Sequence, residues 1–459
     1  MRQGEIFGHP KGLYVLFFTE MWERFSYYGM RALLVLYMTQ HLLLKAEKGD
    51  PVVGYGGIKA FVQGVAGLLG THSELSIQAM SSQIYGLYTA LVYLTPFMGG
   101  ILADRVFGQR KSVYIGGILM AIGHFLMAVE SLFFPALLFL ILGNGCFKPN
   151  ISTQVGGLYP KGDHRRDGAF TIFYMGINLG AMFSPLVCGT LGQKVGWHWG
   201  FGAAGVGMLL GLMIYHFGRH TLPSDEQTEH EAGIAHAEGG STKLSAQEWK
   251  SIAALVFLCI VNIVFWAVYE QQGNTMQLWA EERTIWTYLG WTIPSTWFQL
   301  FNPLFIMIFA PMLTRLWNWQ SDRKREPSTV TKMGVGCILL GAAFVIMICA
   351  ARVVGPTDKG SALWLIGTAL VLTMGELYLS PVGLSLVTKL APVRMVSMLM
   401  GMWFLSSFFG NYLSGVLGGF YNVISKDAFF GLMTVLAISA GLIFFGANRP
   451  LRQVIGDKV

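Results

Sequence analysis

Apolar stretches of roughly 20 residues recur along the whole chain and alternate with short polar segments. Each stretch is long enough to cross the ~30 Å hydrocarbon core of a bilayer as a helix. Short segments of alternating hydrophobicity, which a membrane β-barrel would need, do not recur. The pattern therefore predicts an all-α integral membrane protein with 12 transmembrane helices.

Six predicted spans lie in each half of the chain. The first six cover roughly 13–44, 77–103, 111–130, 135–158, 168–192 and 198–218. The last six cover roughly 249–272, 298–320, 331–351, 361–390, 395–420 and 428–447. The stretch between them is too polar to bury in lipid and too short to hold two further spans. The predicted domains are a six-helix bundle over 1–218, a linker over 219–248 and a second six-helix bundle over 249–459.

Basic residues are distributed unequally between the two sets of loops. About 21 Lys and Arg fall on the side shared by both termini and the linker, and about 8 fall on the other side. Because cytoplasmic loops carry the excess, we expect both termini and the linker to be cytoplasmic, in a multi-pass protein of the plasma membrane. Six plus six spans around a cytoplasmic linker form the two-bundle plan of the major facilitator fold.

Composition agrees with a membrane protein, since only 12% of the residues are charged and 53% are hydrophobic. A soluble domain carries about 25% charged residues. The net charge of +7 comes from loops between apolar spans, so it does not indicate a nucleic-acid partner. No nucleotide loop, metal-ligand constellation or nucleophile–base pair is found, so the sequence predicts neither an enzyme nor a cofactor or metal. It leaves the oligomeric state open.

One loop between the second and third predicted spans has a distinctive spacing of glycine, acid and base. It reads GILADRVFGQRK from Gly100 to Lys111. This resembles the Gly-x-Leu-Ala-Asp-Arg-x-x-Gly-x-Arg-Lys loop of the major facilitator superfamily. An ordinary basic loop would explain the cations but not the positions of the glycines and Asp104. We expect Asp104 with Arg110 to form part of a charge cluster that latches the two bundles on the cytoplasmic face and opens again.

The first predicted span is unusual because it carries several charges, each of which costs ~2.5–3.5 kcal/mol at mid-membrane on insertion scales. Helical spacing places the polar side chains of this span on one face. They are Glu20, Glu23, Arg24, Tyr27, Tyr28 and Arg31. Such a stripe is expected to line a cavity or a partner helix rather than lipid.

Two carboxylates beside one arginine suit proton exchange. Arg24 can hold one carboxylate ionised, and the other can then load a proton on one side of the membrane and release it on the other. The alternative is a static Glu23–Arg24 ion pair with Glu20 in helix packing. The density of charge favours proton coupling by Glu20, Glu23 and Arg24.

Three more charges lie in apolar spans, namely Lys148, Glu270 and Glu376. Cations of the first bundle, Arg31 and Lys148, would then face anions of the second. Opposite charges of this kind can close a gate, and a zwitterionic ligand can replace either partner. The alternatives are that Glu270 lies at the membrane interface and that Lys148 extends its ammonium to the interface.

The residues around these charges resemble the signatures of proton-coupled oligopeptide transporters. The first-helix signature is matched by Glu20-x-x-Glu23-Arg24-Phe25-x-Tyr27-Tyr28-Gly29, and the fifth-helix signature by Phe173-Tyr174-Met175-Gly176-Ile177-Asn178-Leu179-Gly180. The runs Phe147-Lys148-Pro149-Asn150, Phe265-Trp266-x-x-x-Glu270-Gln271 and Gly375-Glu376-Leu377 also match. The matches lie in both halves of the chain, so it is identified as a member of this family.

The resemblance implies import of di- and tripeptides by alternating access, with protons as the coupling ion and the bilayer as the surrounding solvent. It implies that Glu20, Glu23 and Arg24 couple protons, and that Arg31 with Glu270 and Lys148 with Glu376 close the outer gate. The implied substrate-binding residues are Arg24, Tyr27, Tyr28, Arg31, Tyr93, Lys148, Asn178, Trp266, Glu270, Asn302, Glu376, Trp403 and Ser407. Among them the cations meet the peptide carboxylate, and Glu376 meets its amino terminus.

Some features depart from the family pattern. The second predicted helix has no histidine, which animal members use, so coupling would fall on Glu20 and Glu23. The linker cannot hold the two extra helices of many bacterial members, and the resemblance assigns no role to residues 50–76. The alternative functions are transport of another small substrate, such as nitrate, an amino acid or a drug, and nutrient sensing without transport. The intact first-helix motif favours peptide.

Overall fold

The computed structural model describes residues 5–68, 70, 73–160, 163–223, 245–391 and 395–455. The helices in the first half are α1 (Lys11–Tyr37), α2 (Leu43–Glu47), α3 (Tyr55–Leu68), α4 (Ile77–Leu102), α5 (Gln109–Leu126), α6 (Phe133–Gly157), α7 (Arg165–Ser184), α8 (Thr190–Lys194) and α9 (Trp197–Gly218). Those in the second half are α10 (Ala246–Tyr269), α11 (Thr275–Arg283), α12 (Phe301–Asp322), α13 (Thr329–Val354), α14 (Leu363–Leu390), α15 (Val396–Gly418) and α16 (Lys426–Ile455).

The twelve helices longer than 17 residues coincide with the twelve predicted spans, which confirms the all-α class. Within the described residues, nine stretches are long and apolar enough to cross a membrane by length and composition. Helix α1 is not among them, and it is the helix that carries the stripe of charges. Short π-helical segments extend three of the long helices, at Met38–Leu42, Ala103–Phe107 and Pro185–Gly189.

Among the described residues, the strands are two-residue segments that pair in the loops. β1 (Glu5–Ile6) pairs antiparallel with β2 (His9–Pro10), and β4 (Thr287–Tyr288) pairs antiparallel with β5 (Trp291–Thr292). β3 (Thr284–Ile285) pairs in parallel with β6 (Gly360–Ser361). Single turns of 3-10 helix complete the loops at Glu130–Leu132, Arg219–Thr221 and Glu270–Gln272, with a longer one at Ser295–Leu300.

Local sequence explains several helix ends. Ser245 begins α10 with a capping box, because its side chain accepts from the backbone N–H of Glu248 while the Glu248 carboxylate accepts from the N–H of Ser245. Ser328 caps α13 in the same way through the N–H of Thr331. Gly108 separates α4 and its π-helical extension from α5 with φ of 76°, a left-handed conformation that explains the glycine in this loop motif.

The chain forms two compact units. Unit 1 comprises Met1–Phe61 and Leu91–Gly239, and unit 2 comprises Val62–Ala90 and Gly240–Val459. Helix α4 therefore contributes its first half to unit 2 and its second half to unit 1. Residues 224–244, the greater part of the predicted linker, lie outside the described residues.

Unit 1 is built around α1, which packs against α7 and α9, while α5 packs against α6 and α9. A glycine permits the closest approach, because a Cβ at Gly180 of α7 would collide with the carbonyl oxygen of Met21. Tyr37, near the end of α1, is surrounded by aromatic rings, with Phe201 at 5.1 Å and Phe133 at 5.5 Å between centroids. Close backbone contact and aromatic packing thus fix α1 in its unit.

In unit 2, α13 packs against α14 and α16, and α10 packs against α15 and α16. Helices α13 and α14 meet at two glycines, since a Cβ on either Gly336 or Gly375 would lie 2.7 Å from the carbonyl oxygen of the other. Gly375 directly precedes Glu376. The close helix contact therefore holds the segment of α14 that presents this carboxylate.

The segment 50–76, for which the sequence suggested no role, contains α3. Glu47 accepts from the Tyr55 hydroxyl and, at 2.8 Å, from the Lys59 ammonium, which ties the start of α3 to the end of α2. Further on, the Gln63 side chain bonds to the carbonyl of Ser73 and to the N–H of Leu75. These polar contacts explain why a glycine-rich segment is helical here.

Candidate substrate and proton site

Helix α1 carries Glu20, Glu23 and Arg24 into the interior of unit 1, where they are 2%, 0% and 3% exposed. The Arg24 guanidinium donates to both carboxylate oxygens of Glu23, through Nη2 to Oε1 at 2.6 Å and through Nε to Oε2. Its Nε also lies 3.2 Å from Oε1 of Glu20. Arg24 therefore binds Glu23 at two points and shares a longer contact with Glu20.

The two carboxylates differ in how completely they are satisfied. Oε2 of Glu20 is buried and has no hydrogen-bond partner. Oε2 of Glu20 therefore loses its hydration without gaining a donor, whereas both carboxylate oxygens of Glu23 accept from Arg24. In this arrangement Arg24 holds one acid at two points, as both interpretations of the sequence require. The Glu23–Arg24 ion pair of the alternative interpretation is present as part of it.

Asn144 of α6 joins this cluster, and sequence reasoning missed it. Its Oδ1 accepts from Arg24 Nη2 at 3.3 Å, and its Nδ2 donates to the carbonyl of Val92 at 3.0 Å. The side chain is 1% exposed. The available signal was a lone amide in an apolar run, one helical turn before Lys148, because residues four apart share a helix face.

The remaining predicted cations of unit 1 lie beside aromatic rings. Lys148 Nζ is 5.0 Å from the ring centroid of Tyr93, and its charge interacts with those of Glu20 and Glu23. Arg31 lies two turns beyond Arg24 on α1, with its guanidinium carbon 6.0 Å from the ring of Tyr28. Cation–π contacts of this kind position a charge while leaving it able to bind an anion.

The aromatic residues predicted to bind substrate in α1 lie beside the same cations. The guanidinium carbon of Arg24 lies 5.1 Å from the ring centroid of Tyr27, and the rings of Tyr27 and Tyr28 meet edge to face at 5.1 Å. Asn178 of α7 is buried, and its Nδ2 donates to the carbonyl of Tyr174 at 3.0 Å in its own helix. This bond ties the Asn178 amide to the backbone of its own helix.

The loop motif has a contact that the sequence did not reveal. Arg110 donates through Nη2 to the carbonyl of Arg219 at 3.2 Å and to the carbonyl of Leu222, at the end of α9. Asp104 is exposed in the π-helical segment that ends α4. The basic end of the motif thus bonds to carbonyls just after a helix C-terminus, where the helix dipole favours a cation.

In unit 2, Glu376 lies in a cradle of hydrogen-bond donors. Its Oε2 accepts from the hydroxyl of Tyr269 at 2.6 Å and from Asn302 Nδ2 at 2.9 Å. Asn302 Nδ2 also lies 3.0 Å from the hydroxyl oxygen of Thr373. The structure therefore brings together Glu376 and Asn302, as predicted, and adds Tyr269 and Thr373. Tyr269 occupies a variable position just before Glu270 in the motif quoted above, so the signature does not mark it.

The other predicted residues of unit 2 lie on α10 and α15. Glu270 begins the 3-10 turn that follows α10 and is 2% exposed, so it is buried rather than at a water interface. Trp266 meets Tyr269 edge to face at 5.3 Å, and its buried Nε1 has no hydrogen-bond partner. Trp403 and Ser407 are buried one turn apart on α15. Among the described residues, no cluster of three His, Cys, Asp or Glu could hold a metal ion.

The first half of α4 is packed tightly within unit 2. A Cβ at Gly86 would lie 2.6 Å from the backbone nitrogen of Gly415 in α15. Near the start of α4, Ser82 donates to Asn274 at 2.8 Å and Gln78 donates to the carbonyl of Gly418 at 3.0 Å. Uncharged amides, hydroxyls and glycines therefore hold the first half of α4 against the other residues of unit 2.

Comparisons with known proteins place this architecture in a family. The model of the POT family (PTR2) matches residues 110–232 and 224–436. The chain is 37% identical to the uncharacterized transporter YclF of Bacillus subtilis, over 99% of this chain and 96% of that one. It is 36% identical to a di-/tripeptide transporter of Lactococcus lactis subsp. cremoris, over 98% of this chain and 97% of that one.

Solved structures of similar fold support the same family assignment. A crystal structure of a mutant of the peptide transporter POT in complex with alafosfalin has a TM-score of 0.84 and 33% identity, over 99% of this chain and 97% of that one. Twelve long helices with buried charges, together with these likenesses, define a multi-pass membrane transporter of the major facilitator type. The chain belongs to the POT family.

Proposed function

We propose that this protein is a proton-coupled symporter that imports di- and tripeptides by alternating access. The observation that carries the proposal is the distribution of charge between the units. Unit 1 presents the cations Arg24, Arg31 and Lys148 among tyrosine rings, and unit 2 presents Glu376 in a cradle of donors. The proposed activity is transport rather than catalysis.

A peptide of unspecified sequence offers three constant features, which are a carboxylate, an ammonium and at least one amide. The cations of unit 1 would bind the carboxylate, and Glu376 would bind the ammonium. Asn178 and Asn302 would bond to the amide, and Tyr27, Tyr28, Tyr93, Trp266, Trp403 and Ser407 would contact the variable side chains. Charge at the two ends and apolar rings between them suit many peptide sequences.

Proton coupling is assigned to Glu20, with Glu23 and Arg24 as its fixed neighbours. Glu20 has a buried oxygen without a donor, whereas Glu23 is held at two points. A difference of one pH unit supplies ~1.4 kcal/mol per proton. A membrane potential of 100 mV adds ~2.3 kcal/mol per charge. Inward movement of a proton bound at Glu20 would couple this free energy to the accumulation of peptide.

Gating and topology complete the proposal. Arg31 with Glu270 and Lys148 with Glu376 would close the outer gate, and the loop that contains Asp104 would latch the cytoplasmic side. The bundles would be 1–218 and 249–459, joined by a linker over 219–248, with both termini in the cytoplasm and the protein in the plasma membrane. The excess of Lys and Arg in the loops on that side supports this orientation.

The function is tested by uptake of labelled dialanine into proteoliposomes with and without an inward proton gradient. Gradient-driven accumulation is expected, and dialanine uptake that does not depend on the gradient would contradict proton symport.

The role of Glu376 is tested by competition with dialanine and with its N-acetylated form. Acetylation should weaken binding to the parent much more than to Glu376→Gln. Asp358→Asn, at an exposed carboxylate of unit 2, serves as the control, and equal penalties in all three proteins would exclude Glu376 as the amino-terminal contact.

A further inference from the structure

An apolar groove of about 790 Å³ lies in unit 1 behind helix α1. Met21, Trp22 and Phe25 of α1 form one side of it, and residues of α5, α7, α8, α9 and the π-helical segment after α7 form the others. Apart from the two indole N–H groups of its tryptophans, its side chains carry only hydrocarbon and thioether groups. The groove offers no charge and almost no hydrogen bond to a ligand.

The groove is continuous with the outer surface of the membrane-spanning helices. Of the residues that line it, Phe183 is 45% exposed, Trp199 is 57% exposed and Val206 is 51% exposed. These side chains belong to the helices α7 and α9, which are long and apolar enough to span a bilayer. The surface into which the groove opens is therefore one that lipid covers in a membrane.

The length of the groove corresponds to one leaflet. It follows α9 from Trp199 to Leu210, which is twelve residues of helix separated by eleven rises of 1.5 Å, or about 16 Å. Half of the ~30 Å hydrocarbon core is about 15 Å. Trp199 lies in the first turn of α9, next to His198, so the groove begins at a helix end and runs inward.

Only hydrocarbon can fill such a space in a bilayer. Water needs two to four polar partners, which this lining does not supply. A void would forfeit the dispersion contacts of every side chain around it. We propose that the groove is a binding site for one acyl chain of a membrane phospholipid. Because lipid tails are as apolar as the lining, shape and packing rather than the hydrophobic effect would retain the chain.

The position of the site gives the bound chain a structural role. Trp22 and Phe25 line the groove, whereas their neighbours Glu23 and Arg24 are buried in the charge cluster of α1. Gly207 of α9 lies against the Phe25 ring. A Cβ added at Gly211 would lie 3.4 Å from Cβ of Trp22. An acyl chain would complete the packing behind the helix that carries the charges.

Glycine positions allow the groove to be filled without disturbing the protein. Gly202 lines the groove, and a Cβ added there meets no atom within 4 Å. Gly202→Phe would therefore place a ring in the groove itself. Gly431→Phe in α16 is the matched control, because a Cβ there also meets nothing within 4 Å and Gly431 does not line the groove. Both changes replace a helix-destabilising glycine by the same residue.

The test uses the full chain in nanodiscs with a phospholipid that carries a diazirine in the middle of one acyl chain. After photolysis, mass spectrometry of peptides should find crosslinks at groove residues such as Met21 and Val206 in the parent and in Gly431→Phe. Gly202→Phe should lose them, and so should Val206→Trp, a second variant at a half-exposed position. A lipid with the diazirine in its headgroup should label neither residue.

Three outcomes would overturn the proposal. The first is the absence of acyl-chain crosslinks at the groove in the parent protein. The second is equal crosslinking in the parent and in both filled variants. The third is a crosslink between two copies of this chain through groove residues, which would make the groove a protein interface. Intact mass and a sharp gel-filtration peak establish that each variant compared is folded.

Discussion

Asn302 Nδ2 donates to Glu376 Oε2 at 2.9 Å, and this contact links α12 to the half-buried carboxylate of α14. The same carboxylate oxygen accepts from the Tyr269 hydroxyl at 2.6 Å. Two donors on one oxygen fix the orientation of the carboxylate and compensate part of its lost hydration. An anion can then be kept inside unit 2 at a defined position.

Asn302→Leu should weaken the binding of dialanine by about tenfold or more, because a hydrogen bond to a charged group contributes about 1.5–3 kcal/mol. Leucine has a similar volume but no donor. The measurement is a dissociation constant by competition in detergent or nanodiscs. Thr373→Val is the control, since it removes only the hydroxyl near Asn302 and leaves both donors on Glu376. Unchanged affinity in Asn302→Leu would exclude a role for the cradle in binding.

Glu20→Gln should abolish gradient-driven accumulation of peptide and spare counterflow. Glutamine keeps the shape of the acid but cannot carry a proton, and counterflow needs no net proton movement. Glu23→Gln should in addition lose thermal stability, because breaking a buried ion pair costs about 3–5 kcal/mol. Asp50→Asn, at an exposed carboxylate, is the control. Accumulation by Glu20→Gln at the parent's level would remove Glu20 from the coupling mechanism.

Gly86→Val should loosen the first half of α4 from α15. A Cβ at Gly86 collides with the backbone of Gly415, so the helices must separate. Ala79, 2% exposed, lies two turns earlier on α4. A cysteine at position 79 should react faster with a water-soluble maleimide when Gly86→Val is present. The reaction is followed by mass spectrometry of the labelled peptide.

The matched control for that experiment is Gly100→Val on the same helix, where an added Cβ meets no atom within 4 Å. It should leave the labelling rate of the cysteine unchanged. Equal rates in the two valine variants would show that the glycine contact does not hold the half-helix in place.

Arg110→Ala should lower the melting temperature of the purified protein. Its guanidinium bonds to the carbonyls of Arg219 and Leu222 just beyond the end of α9, and we expect a loss of about 1 kcal/mol. Arg110→Lys should retain part of the stability. Lys111→Ala, at the exposed neighbouring position, should melt like the parent. A melt of Arg110→Ala that matches Lys111→Ala would show that the cap does not contribute.

Several parts of the site could be predicted from the sequence because each rests on a local pattern. The stripe on α1 follows from helical periodicity, and the burial of Glu20, Glu23 and Arg24 follows from their place in an apolar span. The presence of a polar network around Glu376 could be expected, since a carboxylate within an apolar span needs donors. The identity of those donors could not be predicted from the sequence.

The sequence by itself determined the twelve long helices and the residues that carry charge into the membrane, because hydropathy and helical period act over neighbouring positions. Only the tertiary structure decided that Arg24 binds Glu23 at two points and leaves an oxygen of Glu20 without a donor. It also decided that Tyr269 holds Glu376 and that Gly86 meets Gly415. The contacts of Tyr269 and of Gly86 join residues far apart in the chain, and packing geometry, which no local pattern encodes, selects them. Glu20, Glu23 and Arg24 are neighbours on one helix, and the packing around α1 decides which donors reach their side chains.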